Sequence, residues 1–313
     1  MPSPIQFSTA AAYQTAKNTV PFWLPYIRAA FKQHQLKLND NRIIPGYNST
    51  NPVFVCGDNV IKFFGFRPQW EAAYQNEHRL YQSLAQEAEL LTPRCIAHGE
   101  LFSGTPDPWP YLISTTIPGK TWENSELSIT EKHTVVAELG KQLKILHRLA
   151  LHEHLPTDAS WPQLDLQLAA RQSSLPTHLI DHIPDFIQTL QPFDRVLTNA
   201  DIVPMHVFVH NQHLSGIIDW GDAVVTDRHY DIGKLVLSHF PGDRELLHTL
   251  LQAAEWPITP HFATQSLGLS LYRQAVGLTQ HRTFNIFYQL EHLFPFQAIR
   301  TLDEFAEHLF QLT

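Results

Sequence analysis

The sequence predicts an α+β fold in two lobes: a small antiparallel β lobe carrying one helix, then a larger, mainly helical lobe with a β island. Three observations predict it. Short β-branched or aromatic runs crowd the first third of the chain. From Ser128 onward apolar residues recur at helical spacing. That helical stretch is broken once, by short strand-like runs between residues 194 and 218. A parallel α/β sheet would need strand and helix to alternate throughout, and they do not.

The elements follow in order. Residues 20–36 (VPFWLPYIRAAFKQHQL) read as an opening helix, with Phe22, Tyr26, Ala30 and Phe31 at helical spacing. Residues 42–47, 52–56 and 59–64 read as strands, and Gly57-Asp58 suits a two-residue hairpin turn. Residues 70–86 return to a helical period, with Ala73, Leu80 and Leu84 on one side. Strands follow near 94–101 and 111–117. A linker near 117–122 then divides a first lobe, 1–117, from a second, 118–313. Val135, Leu139, Leu143 and Leu146 form an apolar helical stripe. The β island comprises residues 194–197, 206–210 and 214–218, and the chain after Asp231 reads as helical.

Composition narrows the function. The 313 residues are 43% hydrophobic and 17% charged, with a formal net charge of −8. That balance suits a globular protein and argues against a nucleic-acid partner, which requires a basic face. No apolar run approaches the ~18 residues that span a bilayer. The first residues lack the basic-then-apolar order of a signal peptide. Cys56 and Cys95 are the only cysteines and form no CxxC, so neither a zinc knuckle nor a disulfide framework is expected. A cytoplasmic protein is the expectation. Nineteen histidines are scattered, and the tightest set, His147, His152 and His154, has no metal-motif spacing. No G-x-S-x-G marks a hydrolase.

The chemistry concentrates in the β island. The string Leu197-Thr198-Asn199-Ala200-Asp201-Ile202-Val203-Pro204-Met205-His206 leads into a strand, and Ile218-Asp219-Trp220-Gly221-Asp222 follows the next hairpin. Each aspartate alone could cap a turn. In the first lobe, Lys62 is the only lysine between Lys37 and Lys120, and it lies inside the apolar run Val60-Ile61-Lys62-Phe63-Phe64. A lysine so placed either snorkels at a sheet edge or has an anionic partner.

Taken together, these segments resemble the aminoglycoside and macrolide phosphotransferases, relatives of the protein kinases. In that family H-G-D-x-x-x-x-N precedes a strand, a hairpin and then I-D-W-x-D/E. Asn199-Ala200-Asp201 stands in the H-G-D place, His206 in the Asn place, and Asp219 in that of the metal-binding acid. Residues 224–231 (VVTDRHYD) resemble the following G-D-P-x-x-D segment. Two departures stand out: the histidine of H-G-D is absent, and His206 is a softer donor than an amide oxygen. The macrolide phosphotransferases are similar to this chain in the second, carrying H-G-D-x-x-x-x-H.

The resemblance implies a two-lobed, protein-kinase-like fold and transfer of the γ-phosphoryl of ATP or GTP to a hydroxyl of a small molecule, antibiotic-like or metabolite. It implies Asp201 as the catalytic residue, Asp219 and His206 as ligands of magnesium, with manganese as the alternative, and Asp231 as a brace of the catalytic loop. It implies that Lys62 grips the phosphates and pairs with Glu77, with Glu71 as runner-up. Ser49 and Thr50, in the 45–51 loop, would cover the phosphates, and backbone groups near Ser114 and Thr116 would receive the base. The alternative is a catalytically silent nucleotide-binding protein of the same fold. No A-P-E-like element follows Asp219, which disfavours a protein kinase.

Overall fold

The computed structural model describes residues 2–46, 49–151, 155–281, 283–290 and 296–312. His152 and His154, and Tyr47 and Asn48 of the 45–51 loop, lie outside the described residues. The chain divides into two compact units, Met1–Ala88 with Thr92–Ile117, and Glu89–Leu91 with Pro118–Thr313.

The first unit is built on one antiparallel sheet. Its elements are α1 (Ala10–Ala16), α2 (Val20–Gln33), β1 (Ile43–Pro45), β2 (Val53–Cys56), β3 (Asn59–Phe63), α3 (Trp70–Leu84), β4 (Cys95–Leu101) and β5 (Trp109–Thr115). The strand order is β1-β2-β3-β5-β4. Cys56 pairs with Asn59 across the β2–β3 turn, where Gly57 takes φ +68, a conformation open to glycine without strain. The alternation of β3 buries Ile61 and Phe63 and turns Lys62 to the other face. Trp23, Ile27, Ala30 and Phe31 of α2 are buried against the sheet, and the Trp23 ring stacks on Phe63 at 4.9 Å. Burying so large a ring contributes about 3 kcal/mol by area alone.

Helix α1 is not evident from the sequence, because Tyr13 is its one buried residue and no apolar period can show. Thr9 caps it by accepting the Ala12 N–H at 3.1 Å. Its value lies in what it holds. The Tyr13 hydroxyl donates to the Thr50 carbonyl at 3.2 Å, and Lys17 Nζ donates to the Ser49 carbonyl at 2.8 Å. The β lobe therefore carries two helices ahead of its sheet besides the one expected after β3.

The second unit comprises β6 (Lys120–Thr121), α4 (Ile129–Leu146), α5 (Leu166–Ala170), α6 (Thr177–Ile180), α7 (Ile183–Ile187), β7 (Val196–Thr198), β8 (Val207–His210), β9 (His213–Ile217), β10 (Val224–Thr226), α8 (His229–Lys234), α9 (Arg244–Ala253), α10 (Phe262–Gln280) and α11 (Leu302–Phe310). Ser128 and Glu131 close a capping box at the start of α4, whose Val135, Leu139, Leu143 and Leu146 are buried as the stripe requires. The β island is two small sheets rather than one. β7 pairs with β10, and β8 lies between β6 and β9. β6 and β10 span only two and three residues, too short for a period to register. Burial pushes the rings of His147 and His239 down to about 3, so both are neutral core residues.

Candidate active site

The loop between β7 and β8 is shaped by α8. Asp231, in the first turn of that helix, is fully buried and accepts two successive backbone N–H groups: Ala200 at 2.8 Å on Oδ1 and Asn199 at 3.2 Å on Oδ2. Ala200 sits at φ +68, where a side-chain-bearing residue costs about 1 kcal/mol relative to glycine. The two Asp231 bonds offset that cost. Burial pushes Asp231 up to about 7, against the pull of those same N–H donors.

The loop then turns back on itself through His206. Its Nδ1 lies 2.8 Å from the Asp201 carbonyl oxygen. A carbonyl can only accept, so Nδ1 carries the hydrogen and Nε2 presents a lone pair in the neutral ring. The His206 carbonyl accepts the Ile218 N–H at 2.9 Å, which brings the end of β9 alongside. The next residue, Asp219, adopts φ +57. His206 Nδ1 is 3.3 Å from Asp201 Oδ2, and His206 Nε2 is 3.7 Å from Asp219 Oδ2. One imidazole thus links the two aspartates that the sequence places eighteen residues apart.

Asp219 and the Nε2 lone pair make a donor pair that fits a divalent cation. Among the described residues no group of three or more His, Cys, Asp or Glu side chains could hold a metal alone. Two protein donors nevertheless suit an ion that completes its shell with substrate phosphates and water.

Two residues that the sequence reading missed complete the cluster. Lys234 Nζ lies 3.0 Å from Asp201 Oδ1. An Arg273 terminal nitrogen lies 3.1 Å from the same oxygen and 3.4 Å from Asp222 Oδ2. Burial disfavours the Asp201 charge, but Lys234, then Arg273 and His206, outweigh it and hold this carboxyl below the usual carboxylate range. Burial and the Arg273 charge lower Lys234 from its ordinary value. The Phe284 ring centroid stands 5.3 Å from Lys234 Nζ and 5.2 Å from the Arg273 guanidinium carbon. Close helix packing makes this possible. A Cβ on Gly233 would sit 2.4 Å from Ser270 Oγ, so α8 reaches α10 only because position 233 has no side chain. Lys234 could have been noticed in sequence, because it interrupts an apolar run, Ile232-Gly233-Lys234-Leu235-Val236, whereas Arg273 is followed by the polar Gln274.

In the first unit, Lys62 Nζ lies 2.7 Å from Glu77 Oε2. Glu77 is buried, with 4% exposure, whereas the runner-up Glu71 is exposed. The pair is the one that α3 can make, because Leu80 and Leu84 seat the same face of the helix. Ser49 and Thr50 turn their carbonyls to α1, as described above, and Ser49 Oγ accepts the Asn51 N–H at 3.3 Å. Two expected base-reading groups are already engaged. Ser114 lies in the sheet between Val60 and Cys95, and the Thr116 N–H donates to the Asp58 carbonyl at 3.1 Å.

The chain is similar in fold to several solved structures. Macrolide 2'-phosphotransferase MphH from Brachybacterium faecium superposes with a TM-score of 0.61 at 19% identity, over 83% of this chain and 95% of its own. The GDP complex of aminoglycoside 2'-phosphotransferase-IIIa gives 0.64 at 19% identity, over 91% and 95%. Aminoglycoside phosphotransferase APH(3'')-Id from Streptomyces rimosus gives 0.55 at 15% identity, over 80% and 98%. The two-lobed fold is therefore that of the kinase-like phosphotransferases. The sequence profile of the phosphotransferase enzyme family, APH, matches residues 48–265, and the chain belongs to that family.

Proposed function

We propose that this protein transfers the γ-phosphoryl of ATP or GTP to a hydroxyl of a small, weakly charged molecule. The observation that carries the reading is the convergence of Asp201, His206 and Asp219, linked by contacts of 3.3 Å and 3.7 Å through one imidazole. Phosphoryl transfer demands little covalent work from the protein, so catalysis rests on positioning and charge. Asp201 accepts a hydrogen bond from the acceptor hydroxyl and orients its oxygen. Asp219 and His206 Nε2 would hold the cation. When bound, magnesium or manganese neutralises charge on the phosphates. Lys62, held by Glu77, pairs with the phosphates, and the Asp231 bonds keep the loop in shape. Nucleotide-bound relatives, solved with GDP or with ATP and streptomycin, support a nucleoside triphosphate as co-substrate.

The acceptor class follows from the charges around Asp201. Lys234 and Arg273 flank that carboxylate, and Arg273 also takes up Asp222. These two cations offset the negative charge of Asp201 and Asp222, so a polycationic acceptor finds no dense acidic wall there. A neutral or singly charged hydroxylated compound, macrolide-like in character, fits better than an aminoglycoside. The test is a turnover screen of ATP and GTP against macrolides, kanamycin, gentamicin and simple hydroxylated metabolites. Turnover confined to polycations would overturn the acceptor assignment. Nucleotide binding with no turnover on any acceptor would return the silent-protein reading.

Two variants probe the nucleotide side. Lys62→Ala is expected to raise the nucleotide KM about tenfold or more, with a smaller effect on the acceptor KM. An unchanged nucleotide KM would remove Lys62 from the phosphate grip. Melting curves run alongside would report the separate cost of leaving Glu77 buried without its cation.

His206→Asn is expected to keep or raise activity with magnesium, because an amide oxygen is a harder donor than imidazole. The amide nitrogen of that variant can still donate to the Asp201 carbonyl. Native protein should respond better to manganese than the Asn form does. Identical metal-response curves for native, Asn and Ala forms would leave His206 as a loop brace alone.

A further inference from the structure

The two cations at Asp201 do not share its carboxylate evenly. Lys234 Nζ at 3.0 Å and the Arg273 nitrogen at 3.1 Å both approach Oδ1. His206 Nδ1 lies 3.3 Å from Oδ2, and its hydrogen goes to the Asp201 carbonyl at 2.8 Å. Both cations are themselves fixed: the Lys234 side chain is 10% exposed and that of Arg273 only 3%. The rotamer freedom of these long side chains is lost on folding, through the packing of α8 on α10, and not at the moment of reaction. The Asp201 side chain keeps 20% exposure, so it is not sealed from a ligand.

We propose that Lys234 and Arg273 are positioning residues for phosphoryl transfer, holding Asp201 Oδ1 so that Oδ2 is the oxygen that receives the acceptor hydroxyl. This rests on the reading of Asp201 as the residue that orients the acceptor. A carboxylate free to turn offers two equivalent oxygens and several rotamers, most of them unproductive. Two cations on one oxygen remove that freedom, and misplacement of a reacting group by an ångström can cost orders of magnitude in rate. Neither cation needs to touch substrate for this. Their sequence positions support a dedicated arrangement, since Arg273 lies 72 residues beyond Asp201 and on a different helix from Lys234. Burying a cation in an apolar run is unfavourable unless a partner is reached.

The experiment is a double-mutant cycle on the single-turnover hydrolysis of ATP with magnesium, in which water replaces the acceptor and no acceptor need be known. Lys234→Met, Lys234→Arg and Arg273→Lys are measured in the native and Asp201→Asn backgrounds. ATP affinity and melting curves are recorded for each. In the native background Lys234→Met should lower the rate about 10–100-fold with ATP affinity unchanged, and Lys234→Arg should recover most of it. In the Asp201→Asn background Lys234→Met should have no further effect, because its action passes through the missing carboxylate. Equal fold-losses in both backgrounds, or no loss from Lys234→Met, would overturn the proposal. Should Lys234→Met fail to fold, Arg273→Lys in the same cycle decides the question by the same criterion. If Asp201→Asn alone hydrolyses ATP at the native rate, the Asp201 reading falls instead.

Discussion

Asp219→Ala is expected to abolish metal-dependent turnover, a loss of at least about a thousandfold, while the protein stays folded. The loss follows from position. Asp219 is held at the end of β9 by the bond from Ile218 to His206, and its carboxylate faces the His206 lone pair. Without it, of the two proposed donors only His206 Nε2 would remain to hold a cation. Stability should change little, because the Asp219 side chain is 43% exposed. A small cost remains, since aspartate tolerates its φ of +57 better than alanine does. Turnover measured across magnesium concentrations, beside a melting curve, checks both halves. Unchanged turnover would sink the phosphotransferase site as described.

The second large effect is expected from Asp201→Asn, which should lower kcat about 10²–10⁴-fold with a much smaller change in nucleotide affinity. The substitution keeps the shape of the side chain and removes its charge. An amide presents one acceptor oxygen where the carboxylate presents two, and its nitrogen cannot accept from the acceptor hydroxyl. Lys234 also loses its anionic partner in a buried setting, which should lower the melting temperature. Rates are therefore best taken well below that temperature. Near-native kcat would remove Asp201 from its role, whatever the fate of stability.

What could be read in the sequence was local. The β2–β3 hairpin announces itself through Gly57-Asp58, and the α4 stripe through residues spaced for one helix face. Asp201 and Asp219 stand out because strand-like runs flank them, and Lys62 because a lysine inside an apolar strand demands a partner. The Glu77 pairing needs only a helix of ordinary phase. The rest depends on contacts that no window contains. Helix α1 has one buried residue, and β6 and β10 are shorter than any period. That Ser114 lies between two strands depends on β5 being a middle strand, a fact of strand order. Lys234 and Arg273 show the limit most clearly. Lys234 sits in an apolar run as Lys62 does, but only the docking of two helices reveals that it shares one carboxylate oxygen with Arg273.

That docking has an evolutionary corollary. Position 233 has no room for a methyl group because Ser270 Oγ fills the space. Drift at one of these sites is therefore tied to drift at the other. A descendant that acquires alanine at 233 keeps its interhelix distance only if 270 gives up its hydroxyl, as alanine or glycine would. If it does not, the spacing opens and both cations leave Asp201 together. Lys234 and Arg273, on separate helices and far apart in the gene, are in this sense a single heritable character, kept or lost as a pair.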